Sequence, residues 1–187
     1  MNCIRSIGCL ILGLILMSSS CKKEASPISK LSILAPATQT GANTIGCLVN
    51  GALFNTSDGF FSIKIYDSYA ELNNNYHFYL SGYREVQSFV YQSITLQTDS
   101  LALKEGQTFP LTKAAPGNAS ASYDLQNGIN NHDTYFTTAA NPGTLKITRL
   151  DMINHILSGT FTFDGVNSSG SVIHITDGRF DITYRPY

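Results

Sequence analysis

The C-terminal stretch LSGTFTFDGVNSSGSVIHITDGRFDITY, residues 157–184, decides the fold class of this chain. Apolar side chains occupy alternate positions on both sides of its polar cluster 167–170: Phe161 and Phe163 before it, Ile173 and Ile175 after it. A period of two is typical of a strand that buries one face. Asn, Ser and Gly form turns readily, so the stretch predicts an antiparallel hairpin.

The dipeptide Asp177-Gly178 follows the second of these strands and precedes a further alternating run, residues 179–184. Asp-Gly between alternating apolar residues is a strong hairpin signal, which predicts a C-terminal three-strand meander. The alternative is a bulge within one continuous strand. If residues 167 and 170 face each other across the first turn, His174 lies opposite Phe163.

The same alternation recurs upstream, and clusters of Asn, Gly and Pro separate the runs. Strand signals lie at residues 61–66, in the aromatic-rich stretch 76–83, in the long run 87–98 and at residues 145–148. Short strands at this spacing predict an all-β protein, a single antiparallel β-sandwich or partly open barrel of about 8–10 strands. We place this single domain at residues 44–187.

The N-terminus has the pattern of an export signal. Arg5 precedes an apolar run, residues 7–17, which as a helix spans about 16 Å, about half of a bilayer core. That length favours a signal peptide over a transmembrane helix. The following Ser-Ser-Ser-Cys resembles the lipobox of bacterial lipoproteins, which implies cleavage after residue 20 and acylation of Cys21. We interpret residues 21–43, with their Ala, Ser, Thr, Pro and Gly, as a flexible tether.

Two further segments resemble one protein family. They are TGANTIGCLVNG at residues 40–51, and SGTFTF with ITDGRFD at residues 158–163 and 175–181. Both are similar to a cell-envelope lipoprotein family of Bacteroidota whose function is unknown. The resemblance implies a protein anchored through its acyl groups to a cell-envelope membrane, with the outer membrane as the expected location. It supplies no catalytic residue.

Composition narrows the class of partner. The chain has 12 basic and 13 acidic residues, and 13% of its residues are charged. A nucleic-acid partner selects for a basic face, so we expect none. The histidines, His77, His132, His155 and His174, have no metal-ligand spacing. The sequence therefore predicts no metal site and no cofactor.

Candidate catalytic groups are few. Cys47 lies in an apolar run, residues 45–49, and we interpret it as a buried hydrophobe; a nucleophile would need a base close in space. Asp177 and Asp181 form the nearest carboxylate pair. We expect Asp181 on a polar strand face with Arg179, in a surface ion pair of little energetic value. No catalytic residue is predicted, and the sequence favours a protein without enzymatic activity.

The remaining functional signal is aromatic. Tyrosine and phenylalanine are dense between residues 66 and 91, and Tyr79, Tyr83 and Tyr91 have the parity opposite to the predicted core. Tyrosine suits stacking on sugars or a protein interface. We predict a binding surface on these three residues and a non-enzymatic binding or interaction module, with a glycan or an envelope protein as partner. The alternatives are a calycin-like barrel that holds an apolar ligand in a dry interior pocket, and a hydrolase.

Overall fold

The computed structural model describes residues 34–56 and 65–186, which form eleven strands and no helix. Within these ranges, no helix is long and apolar enough to cross a membrane. The strands are β1 Thr44–Val49, β2 Ala52–Asn55, β3 Ile65–Leu72, β4 Asn75–Gln87, β5 Val90–Thr98, β6 Thr108–Thr112, β7 Ala119–Asn127, β8 His132–Phe136, β9 Gly143–Asp151, β10 Ile156–Val166 and β11 Val172–Thr183. The predicted start of a strand at residues 61–64 lies outside the described residues.

All eleven strands belong to one mixed sheet in the order β2-β1-β11-β10-β9-β6-β7-β5-β4-β3. Every pairing is antiparallel except that of β6 with β7, and β8 bridges β7 and β10. This confirms the prediction of an all-β protein arranged as a sandwich or partly open barrel. It also shows one parallel pair and more strands than the expected 8–10.

The two ends of the sheet come together. The amide of Tyr69 on β3 donates a hydrogen bond to the carbonyl of Arg185, just after β11, at 3.3 Å. The amide of Arg185 donates to the carboxylate of Asp67 at 3.1 Å, and the Arg84 guanidinium donates to the carbonyl of Leu53 on β2. The sheet is therefore partly closed.

The buried side chains of the sheet form one continuous cluster. Its largest fully buried members are Tyr123, Phe54, Phe78 and Phe161.

Asp177-Gly178 is a bulge inside β11 and not a hairpin turn. The pairing of β11 with β10 shifts between Phe161 and Phe163, and Asp177 has a φ of 54°. A Cβ on Gly178 would lie 2.5 Å from the carbonyl oxygen of Phe161, so the bulge requires glycine here. The C-terminal three-strand meander is present, but its strands are β9, β10 and β11.

The bulge strand also pairs one residue away from the expected register. His174 lies opposite Asp164 and not opposite Phe163. Its Nδ1 is 2.8 Å from an Asp164 carboxylate oxygen, and both side chains are exposed. The cause is the turn, which residues 167 and 171 close with a hydrogen bond of 3.0 Å. Every pair therefore shifts by one residue, and Phe163 lies opposite Ile175.

The carboxylate of Asp181 is completely buried, so the expected surface pair with Arg179 is wrong. It accepts six hydrogen bonds, from three backbone amides and three hydroxyls. The donors are Thr38 Oγ1 at 2.6 Å, Thr40 N at 2.9 Å, Thr40 Oγ1 at 3.3 Å, Gly41 N at 2.8 Å, Ala42 N at 3.2 Å and Ser158 Oγ at 2.8 Å. Burial by itself raises the pKa of Asp181, but these hydrogen bonds outweigh it and lower the pKa to about 2.

The segment ahead of β1 is consequently held against the sheet. Leu34 is buried, and the amide of Ala35 donates to the side chain of Asn55 at 3.2 Å. The composition of residues 21–43 suggests a flexible tether, yet its last ten residues, 34–43, make ordered contacts with the strands. Residues 1–33 lie outside the described residues, so the signal peptide, the lipid attachment at Cys21 and the start of the tether stay predictions.

We expect Asp181→Asn to lower the free energy of unfolding at pH 7 by about 2 kcal/mol, because the lowered pKa of the carboxylate measures its stabilisation by the surrounding donors. The folded-state pKa lies below that of the unfolded chain. The contribution is therefore complete above about pH 4 and is lost as the pH falls through about 2. Urea denaturation at several pH values measures the difference between the native protein and the variant.

The matched control is Asp177→Asn, which removes an exposed carboxylate from the same strand and should change the stability little. An Asp181→Asn protein as stable as the native one at pH 7 would contradict the role of the buried carboxylate.

Candidate functional site

The polar face of the sheet begins on β4. Tyr79 and Tyr83 point away from the core and are 39% and 38% exposed, whereas the alternate residues Phe78 and Leu80 are buried. Tyr91 on β5 is half-buried. Tyr79 and Tyr83 therefore lie on the outward side of the sheet, as their parity in the sequence predicted.

Two neighbouring strands extend this outer face. β7 pairs with β5, so Ser120 lies opposite Gln97, and β8 pairs with β7, so Thr134 lies opposite Asp124. On β7 the alternate residues are alanines and a buried tyrosine, which face the core. We use "outer face" for the outward side chains of β4, β5, β7 and β8: Tyr79, Ser81, Tyr83, Tyr91, Ser93, Thr95, Gln97, Ser120, Ser122, Asp124, Gln126, His132, Thr134 and Phe136.

A cavity of about 680 Å³ lies over the middle of the outer face, and we refer to it as the central cavity. Aromatic rings contribute to it from two strands, Tyr79 on β4 and Phe136 on β8. Side chains with hydroxyl, amide and carboxylate groups lie between them, together with apolar carbon surface. The polar side chains that line it include Thr95, Gln97, Ser120, Ser122, Asp124 and Thr134.

Asp124 is the centre of the polar contacts on this face. One of its carboxylate oxygens accepts a hydrogen bond from Thr134 Oγ1 at 2.6 Å and lies 3.2 Å from His132 Nε2. The other accepts a longer bond from Ser93 Oγ at 3.4 Å. Nearby, Gln97 Nε2 donates to Ser120 Oγ at 3.2 Å. These bonds orient the polar groups before any ligand arrives.

Two smaller cavities adjoin the central one. The first, of about 240 Å³, is lined by Tyr83, Tyr91, Asp124 and His132, and we call it the hairpin cavity. The second, of about 480 Å³, is lined by residues that include His77, Tyr79, Asp99 and Asn118, and we call it the loop cavity.

The predicted binding residues are therefore distributed over two cavities. Tyr79 lines the central cavity, and Tyr83 and Tyr91 line the hairpin cavity. Sequence reasoning did not include Asp124 or Phe136 in this surface. The alternation of Ser and Asp with Ala and Tyr on β7 is visible in the sequence. No sequence pattern within β7 or β8, however, indicates that these strands continue the outer face of β4.

Cys47 is buried, as its sequence context predicted. Burial raises the pKa of its thiol far above the usual range, and the nearby Arg84 guanidinium opposes this shift only in part. A neutral thiol without solvent access is a poor nucleophile. In the part of the chain that the structure describes, no group of three or more His, Cys, Asp or Glu side chains is placed to hold a metal ion.

The fold and this face define an all-β protein whose single sheet carries a cavity lined by aromatic rings, hydroxyls and amides. The chain belongs to the family described as a domain of unknown function, DUF6252, whose model matches residues 64–182. This agrees with the expected family of unknown function; its assignment to Bacteroidota lipoproteins stays a prediction. Comparison with curated proteins found no match, and comparison with solved structures found none either.

We expect the thiol of Cys47 to be unreactive towards an aromatic disulfide reagent in the folded protein and to react fully in denaturant, because burial excludes both the reagent and the thiolate. Absorbance of the released thiol, followed with and without urea, measures this. The test uses the acylated protein, in which Cys21 is expected to be a thioether. Rapid labelling under native conditions would restore Cys47 as a candidate nucleophile.

Proposed function

We propose that this protein is a non-enzymatic binding module of the cell envelope, anchored to a membrane through acyl groups on Cys21, and that its outer face binds a glycan. The observation that carries the proposal is the composition of the central cavity. Aromatic rings enter it from both sides, and hydroxyl and amide groups lie between them.

Each of these groups matches a feature of a sugar. The faces of Tyr79 and Phe136 offer apolar surfaces on which the C–H face of a pyranose ring can stack. Hydroxyls and amides such as those of Thr95 and Gln97 both donate and accept hydrogen bonds, as sugar hydroxyls do. A ligand with one apolar face and many hydroxyls therefore satisfies both kinds of lining group.

The alternatives receive less support. A calycin-like barrel needs an empty apolar interior, whereas the interior of this sheet is filled by its buried cluster. A glycosidase needs two carboxyl groups across the scissile bond, and Asp124 is the single carboxylate among the residues that line the central cavity. Its oxygens already face Thr134 and His132. We therefore favour binding without hydrolysis.

The anchor is consistent with this role. Twelve residues separate Cys21 from Leu34, the first residue that the structure describes. Fully extended, the chain from Cys21 to Leu34 reaches at most about 47 Å. The sheet would then remain within that distance of the membrane surface, where cell-envelope glycans are available to it.

We expect Tyr79→Ala to weaken the binding of a neutral oligosaccharide about tenfold, because it removes one stacking surface. Titration calorimetry on the acylated protein in detergent measures this. Ile153→Ala, which truncates an exposed side chain outside the three cavities, is the control and should leave the affinity unchanged. Equal affinities of the native and Tyr79→Ala proteins for every sugar that binds would contradict a role for the central cavity.

The anchor has its own test. Replacing Cys21 by serine removes the acceptor of the acyl groups, so we expect the protein to move from the membrane fraction to the soluble fraction of the cell envelope. Immunoblots of the separated fractions measure this, with Cys47→Ser as the control. Cys47→Ser should remain in the membrane fraction. A Cys21→Ser protein that also stays there would exclude lipid anchoring at this residue.

A further inference from the structure

We propose that the three cavities form one continuous trough that binds a linear neutral polysaccharide along β4 and β5, with the polymer running through all three. This inference rests on the proposed function and specifies the ligand of the same face. It differs from recognition of a single sugar or of a chain end, which would need one cavity.

Neighbouring cavities share lining residues, so they lie side by side on the outer face. Asp124 lines both the central and the hairpin cavity. Tyr79, Gln97 and Ser120 line both the central and the loop cavity. A ligand that fills the central cavity therefore contacts side chains that also line the other two cavities.

The length of the trough exceeds one sugar. His77 in the loop cavity and Tyr83 in the hairpin cavity are six residues apart on β4. At about 3.3 Å per residue, this separates them by about 20 Å along the strand. The three volumes, about 480, 680 and 240 Å³, give room for one or more sugar units in each cavity.

The course of the trough favours a linear polymer. Outward-facing positions on one strand repeat about every 6.6 Å, and four successive positions of this kind on β5 line the cavities: Tyr91, Ser93, Thr95 and Gln97. The row is held in place by bonds between neighbouring strands, including Ser81 Oγ with Thr95 Oγ1 at 3.0 Å. Rigid lining groups reduce the entropy lost when a flexible chain binds.

The charges favour a neutral polymer. The carboxylates that line the trough each have a histidine beside them: Asp99 lies 3.4 Å from His77, and Asp124 lies 3.2 Å from His132. Lys113 is the one Lys or Arg among the residues that line the central cavity. An acidic polysaccharide would find too few cations here, and hydroxyls and amides supply most of the remaining polar surface.

The test is a series of linear neutral oligosaccharides from one to six units, with cello-, xylo- and manno-oligosaccharides as the probes. Titration calorimetry on the acylated protein in detergent gives the dissociation constant for each length. We expect affinity to rise by at least tenfold between one and four units and then to level off once the trough is filled. Equal affinity for the monosaccharide and the hexamer of the sugar that binds would overturn the trough.

Two variants locate the effect at the ends of the trough. Tyr83→Ala and His77→Ala should each weaken binding of the hexamer severalfold and leave binding of the shortest ligand that fills the central cavity unchanged. Ile129→Ala, which truncates a side chain that is 86% exposed in the β7–β8 turn and lines none of the three cavities, is the matched control. Circular dichroism verifies that each variant is folded.

The outcomes separate the two proposals. If short and long ligands bind equally well and Tyr79→Ala weakens both, the central cavity binds a sugar and the trough is wrong. If none of the probes binds at any length, the trough fails, and a protein or glycan that co-purifies with the acylated protein then decides the proposed function. If hexamer binding is reduced by Ile129→Ala as strongly as by Tyr83→Ala, the trough is also wrong.

Discussion

The structure depends on one buried negative charge. Burying an ionised carboxylate without hydrogen-bond partners costs many kcal/mol. The side chain of Asp181 can therefore be buried only where donors surround it. The donors come from Ser158 on β10 and from residues 38–42, which precede β1. These hydrogen bonds therefore join residues 38–42 to β10 and β11. They also keep the segment that leads to the predicted anchor against the sheet.

The buried cluster and the candidate site lie on opposite faces of the sheet. Side chains from one face of the long strands pack into the cluster, and the three cavities lie on the other face of β4, β5, β7 and β8. The other face of β4, β5, β7 and β8 carries Tyr, Ser, Thr, Gln and Asp side chains that range from buried, as at Ser81 and Ser120, to partly exposed, as at Tyr79. The sheet thus has an apolar inner face and a polar outer face.

Particular residues show how far sequence reasoning reaches. The parity of Tyr79 and Tyr83 was readable, because a side chain in a strand shares its face with residues two positions away. The sequence left two interpretations of Asp177-Gly178 open, because Asp-Gly suits a hairpin turn and a bulge alike. Asp181 was misplaced for a different reason. Its face follows from the register with β10, and five of the six hydrogen bonds that it accepts come from residues 38–42, some 140 residues earlier in the chain.

The amino-acid sequence by itself indicated the all-β class, the outward parity of Tyr79 and Tyr83 and the buried state of Cys47, because each depends on alternation between near neighbours. Tertiary structure alone decided which strands lie side by side, and so brought Asp124 and Phe136 next to Tyr79 and residues 38–42 next to Asp181. The physical reason is that strand pairing follows from the best packing of the whole core and the satisfaction of every buried polar group. Neither is a property of any local segment.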